Sequence, residues 1–314
     1  MELSLQLVKQ IGAMFIMLAM GAALVKTKLL KTEQSRVVSV MLLYVIVPCT
    51  ILNAFNIEFE KEKLLGLALA AGGAVVCHIL FIGISRLLKK PLKLSSVERA
   101  AICYPNVGNL VIPLIAATMG SEWVFYASAF MVVQLFCIWT HGRMMISEEK
   151  TFSLKKVLLN VNVIAAVAGF IMFVCQVRLP PILGPAIESM AATIAPLSMV
   201  VIGMILAGMS WKEILGDKRA YLVTALRLVV FPLVIVLVYA FSGAHKWLPQ
   251  GKDVLIISLF AASSSTAATI TQFAQLYQKE EQHAGVIGVM TVLGCIVTLP
   301  AMVWLYQILI GLMG

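Results

Sequence analysis

Apolar residues run through this chain in blocks of roughly 20, the length a helix rising about 1.5 Å per residue needs to cross the hydrocarbon of a bilayer. Such blocks fall at 5–25, 34–55, 64–87, 97–118, 122–146, 157–177, 184–209, 219–241, 253–276 and 284–311, which predicts ten transmembrane helices. The fourth and ninth are the least apolar. The first, "IGAMFIMLAMGAALV", passes directly into a basic connection without a small-residue cleavage site, so it reads as a retained helix and not a signal peptide. The most polar connection, "SEEKTFSLKK" at 147–156, separates five spans (1–148) from five more (154–314). An odd number of crossings per half sends the second half in from the opposite side, the condition for an inverted repeat.

Composition agrees with this reading. Of 314 residues, 61% are apolar and 12% charged, against about 25% charged in a soluble domain. The formal charge of +9 invites a nucleic-acid reading, but its distribution argues against one. Seventeen of the 24 lysines and arginines lie in the connections between spans 1–2, 3–4, 5–6, 7–8 and 9–10, and six lie in the opposite set. Basic loops stay in the cytoplasm. The expected protein is therefore a multi-pass protein of the cytoplasmic (inner) membrane with both termini outside. The six cysteines, Cys49, Cys77, Cys103, Cys137, Cys175 and Cys295, sit in apolar segments with no CxxC pair, which suits small buried hydrophobes better than disulfides or zinc. No His/Cys/carboxylate spacing suggests a metal, and no nucleophile–base motif suggests an enzyme; no cofactor is expected.

The informative residues are those lipid should exclude. Span 4 contains "AICYPNVGNLVIPLI", with Pro105, Asn106, Gly108, Asn109 and Pro113; span 9 contains "ASSSTAATITQ", with Ser264, Ser265, Thr266 and Thr269. Span 2 has Pro48 followed by Thr50, and its counterpart, span 7, has Pro196 followed by Ser198. The four interruptions thus form two matched pairs. An unpaired backbone group in lipid is costly, so irregular backbone survives only when buried in protein or facing a watery cavity. A break also creates two half-helices, whose inner N-termini carry free N–H groups that attract carboxylates. Asn106, Asn109 and the span 9 hydroxyls would then line a compact pocket for a small anion. The competing reading is structural: hydroxyls bond their own helix backbone and asparagines glue helices together. No mid-membrane acid stands out. Arg227, in "ALRLVVFPL", either attracts a carboxylate or carries its charge to the interface on a long stem. His78 and Gln134 either line a polar core or bridge helices.

These residues resemble the auxin efflux carrier family, in its bacterial malate or malonate permease-like branch. The resemblance rests on "YVIVPCTILNAF", "NVGNLVIPL", "LRLVVFPL" and "FAQLYQKEEQHAGVIGVMTVLGCIVTLPAMVWL", which span nearly the whole chain. It implies an all-α fold of two inverted five-helix repeats, like the sodium/proton antiporter and bile acid transporter folds, with helices 4 and 9 broken and crossing beside the substrate. Helices 1, 2, 6 and 7 would form a scaffold, often dimeric, and helices 3–5 and 8–10 a core that moves as an elevator. The resemblance carries site roles to Asn106, Gly108, Asn109 and Pro113. Many relatives have a proline and then an asparagine in span 9 where this chain has Ser265 and Thr269, so a softer break and a missing amide contact are expected there. The expected function is secondary transport of a small mono- or dicarboxylate such as malate or malonate, with H+ or Na+ as a possible coupling ion. A sodium-coupled symporter of the bile acid type and a non-transporting membrane sensor are the alternatives.

Overall fold

A computed structural model describes residues 2–148 and 154–313. Part of the polar connection at 147–156, including Lys150, lies outside the described residues. All regular structure among those described is helical. The helices are α1 (Glu2–Lys26), α2 (Thr32–Phe55), α3 (Lys61–Leu88), α4 (Ser96–Cys103), α5 (Val107–Thr118), α6 (Ser121–Ser147), α7 (Val161–Cys175), α8 (Leu183–Ala207), α9 (Lys218–Phe241), α10 (Gly251–Ser263), α11 (Ala268–Leu276) and α12 (Glu281–Leu312). Short helical turns at Leu154–Leu158, Trp211–Gly216 and Ala244–Lys246 connect them.

Among the described residues, six helices, α2, α3, α6, α8, α9 and α12, are long and apolar enough to cross a membrane alone. Two sequence blocks are cut in two. At a rise of about 1.5 Å per residue, α4 reaches only about 12 Å, less than half the hydrocarbon thickness. Only α4 and α5 together, or α10 and α11 together, have the reach of one span.

The prolines distribute differently from the sequence expectation. Of Pro48, Pro105, Pro113 and Pro196, only Pro105 sits in a gap between helices. Pro48 and Pro113 lie in continuing α-helix, each just after a wide π-helical turn, at Leu42–Ile46 and Val107–Val111. Pro232 follows the same pattern after Leu226–Val230. A π-turn makes room for the proline ring and absorbs the missing N–H, so the helix continues without parting. In α8 the irregular position is Thr193, ahead of Pro196.

The helices pair in two groups. α1 runs along α8, and α2 along α7 and α8; α3 packs on α6 and α10, and α9 on α12, α10 and α4. Small residues set the closest approach. A Cβ on Gly203 would run into the Leu18 carbonyl, and one on Gly21 into that of Val200, so α1 and α8 meet backbone to backbone, as small residues allow in membrane bundles. Between the groups, α5 faces α1 and α8.

At the end of the bundle carrying the basic connections, Glu98 ties three helix starts together. Its carboxylate closes a capping box with Ser95 at the start of α4. It also accepts from Arg219 Nε (2.5 Å) and Nη2 (3.0 Å) on α9, and lies 3.3 Å from His283 Nε2 on α12. Asp217 caps α9 through the Arg219 and Ala220 N–H groups and takes the other ring nitrogen of His283.

Candidate functional site

Where α4 ends, the chain runs extended through Tyr104, Pro105 and Asn106; where α10 ends, it does the same through Ser264–Ala267. The two gaps pair antiparallel as an isolated β-bridge, Pro105 opposite Thr266. Asn106 N–H donates to Ser265 O (2.9 Å) and Ala267 N–H to Tyr104 O (2.9 Å). The second gap therefore opens fully without a proline. A rupture in α10–α11 leaves amides and carbonyls that the first gap can use, so Ser265 and Thr266 part the helix through pairing instead of through steric exclusion.

Two freed carbonyls of α4 and one in the gap find donors elsewhere. In a continuous helix Ala101 O would accept from residue 105, but Pro105 has no N–H; Thr266 Oγ1 donates instead, at 3.0 Å. Ile102 O would take the Asn106 N–H, which is committed to the bridge, and accepts from Arg227 Nη1 (3.2 Å). Pro105 O accepts from Gln134 Nε2 at 2.6 Å. On the other strand, Thr266 N–H donates to Thr291 Oγ1 (3.1 Å), and Ser264 Oγ accepts a second, 3.2 Å contact from Asn106 N–H. Buried polar groups need such partners, and here they come from α6, α9 and α12.

The sequence-derived candidates separate accordingly. Ser264, Ser265, Thr266 and Asn106 are brought together and buried. Asn106 caps α5, its Oδ1 accepting the Asn109 N–H at 3.4 Å. Gly108 and Asn109 are half-buried, and a Cβ on Gly108 would meet nothing within 4 Å, so the start of α5 borders open space. Thr269 sits half-buried in the first turn of α11, outside the bridge. Gln134 supports the break directly and keeps Oε1 unpartnered. His78 donates from Nδ1 to Ala74 O (2.8 Å), stacks near Phe130 and Tyr104, and leaves Nε2 buried and unpartnered.

Arg227 corrects the snorkelling alternative. It is 0% exposed, held over the Phe81 ring at 5.5 Å, with Nε and Nη2 unpartnered. Its cation lies against the carbonyl end of α4, the negative pole of that half-helix. Tyr104 and Thr291 were not singled out from the sequence. Tyr104 is signalled only by standing before a proline, a position biased to extended backbone; Thr291 is one hydroxyl in an apolar run.

The bridge places two helix N-termini, those of α5 and α11, beside two C-termini, those of α4 and α10. Ser263 Oγ, Ser265 Oγ and Gln134 Oε1 are buried without partners around it. Next to α5, an apolar cavity lies between the two helix groups, lined by Leu18, Leu110, Leu114, Met199, Ile202 and Leu299 among others. Among the described residues, no group of three or more His, Cys, Asp or Glu could hold a metal ion. This arrangement can offer N–H and hydroxyl donors to a solute.

No curated protein matches the chain significantly. Residues 6–303 match the family described as membrane transport protein. A multi-pass helical chain, interrupted twice at one buried polar crossing and matched over nearly its whole length, belongs to the membrane transport protein family.

Proposed function

We propose that this protein is a secondary transporter of a small organic carboxylate, and that the solute binds at the α5 side of the crossing. One observation carries the reading. The N-terminus of α5, capped by Asn106, borders open space at Gly108 while every neighbouring carbonyl of the break that has a partner takes it from protein. A carboxylate there meets free N–H groups and the positive end of the helix, with Asn109 beside it and the Arg227 charge behind the break.

The same proposal includes ten crossings arranged as two inverted repeats, α1–α6 and α7–α12. In support, packing relations recur in equivalent places: α1 on α8 as α7 on α2, and α3 on α6 and α10 as α9 on α12 and α4. α1, α2, α7 and α8 form the scaffold, paired with a second copy in a homodimer; the other helices form a core that slides against it as an elevator, with Asn106, Asn109, Ser264, Ser265 and Thr266 carrying the solute. Both termini face outward from an inner membrane. The malate or malonate assignment rests on family likeness alone. The cavity beside α5 is apolar throughout its lining, which favours a monocarboxylate with an apolar body over a dicarboxylate.

Uptake into proteoliposomes tests this. Labelled malonate and an apolar monocarboxylate such as benzoate are supplied with a proton gradient, a sodium gradient or neither. Asn109→Ala should abolish uptake while the protein still folds; uptake unchanged in that variant removes Asn109 from the site. A strict sodium requirement selects the symporter alternative, and binding without net flux the sensor.

A further inference from the structure

Arg99 is nine-tenths buried on α4, at 9% exposure, yet among the described residues no hydrogen bond or ion pair engages its guanidinium, and its Nε is enclosed without a partner. Its acidic sequence neighbour cannot serve it, because the Glu98 carboxylate is already taken by Arg219, the Ser95 N–H and His283. Arg219, with a more exposed side chain, has both Glu98 and the Leu92 and Lys93 carbonyls. A guanidinium enclosed at Nε without a counter-charge is unfavourable, and the contrast marks Arg99 as a cation for which the described residues supply no partner.

The surroundings are built to the same sign. α4 packs against the last turn of α6, Arg143–Ser147. One turn before it, His141 Nδ1 lies 2.8 Å from the Tyr104 hydroxyl, which also donates to Cys137 O at 3.1 Å. α4 also packs on α3, whose last turn carries Arg86, so the basic residues of these turns are Arg99 and Arg86, both cationic. Arg86 is exposed, and His141 is half-buried, so the group opens outward. Its inner wall is Tyr104, the first residue of the extended crossing.

We propose that Arg99, Arg86 and His141 form a second oxyanion site, distinct from the crossing, at the end of the bundle that carries the basic connections. Its ligand is a carboxylate or phosphate group: a planar guanidinium pairs two oxygens at once, while His141, its Nδ1–H spent on the Tyr104 oxygen, adds a donor at Nε2 as the imidazolium that a bound anion favours. The group can arrive on a free small anion or on the headgroup of an anionic phospholipid.

The test uses the full chain purified into nanodiscs of phosphatidylcholine, with inorganic phosphate or malonate titrated at constant ionic strength and the unfolding midpoint as readout. Phosphate should raise the midpoint saturably, and Arg99→Gln should weaken that response at least tenfold. Asn109→Ala should keep it, which separates this site from the crossing. In nanodiscs containing phosphatidylglycerol, a higher starting midpoint with loss of the phosphate response assigns the site to lipid; an undiminished response assigns it to a free anion. A phosphate response in Arg99→Gln equal to the parent's overturns the proposal, as does no stabilisation by phosphate together with equal midpoints in the two lipids. If Arg99→Gln does not fold, Arg86→Gln and His141→Gln carry the test, and an unchanged response in both overturns it.

Discussion

Thr266→Val isolates the link between the two gaps. The substitution keeps the shape of the side chain and removes one donor, the hydroxyl that reaches Ala101 O at 3.0 Å. Side-chain hydrogen bonds between membrane helices average only about 0.6 kcal/mol, because either partner usually finds a substitute. Here substitution is blocked. The residue that would supply the helical N–H is Pro105, and both Ala101 and Thr266 are buried, at 0% and 3% exposure. An orphaned buried carbonyl costs about 1–3 kcal/mol, and a loss of about 2 kcal/mol shifts the folded-to-unfolded ratio roughly 30-fold. Denaturant unfolding in detergent micelles should therefore place Thr266→Val well below the parent, with Thr266→Ser, which keeps the hydroxyl, near it. Pro105→Ala restores an N–H at the right place, so Pro105→Ala/Thr266→Val should lose less than the two single variants added together. A Thr266→Val loss at or below about 0.6 kcal/mol, additive with Pro105→Ala, would refute the assignment of Thr266 as the replacement donor.

Gln134→Leu leaves Pro105 O without its 2.6 Å donor and should cost about 1–3 kcal/mol in the same unfolding measurement; a loss within error of zero would mean that water reaches that carbonyl. Gly203→Val drives a side chain into the Leu18 carbonyl, whereas Gly72 has open space. Thermal scans should thus show a clear drop for the first and none for Gly72→Val. Glu98→Gln weakens the clasp on α4, α9 and α12; its cost should fall below the roughly 3–5 kcal/mol of a fully buried broken pair, since Arg219 is 39% exposed and partly screened. A midpoint equal to the parent's would mean that the capping box alone sets the start of α4.

The sequence by itself determined where helices can run and where one cannot. Apolar blocks located the helices, and Pro105 removed an N–H from the fourth block; those properties are local, set by side-chain transfer energy and by the proline ring. It did not determine which irregularities part the chain. Pro48, Pro113 and Pro232 look as disruptive as Pro105 in the one-letter string, yet a π-turn of the preceding residues absorbs each. Ser264–Ala267 contains no breaker and still leaves the helix, because Tyr104 and Asn106 offer the pairing that replaces its helical bonds. Arg227 could point to the interface or inward, and the orphaned Ile102 carbonyl and the Phe81 ring, both far off in the chain, hold it inward. The partners of the broken backbone, Gln134, Arg227, Thr266 and Thr291, were chosen by tertiary structure, since a carbonyl freed in lipid must be satisfied by whatever donor packing brings to it.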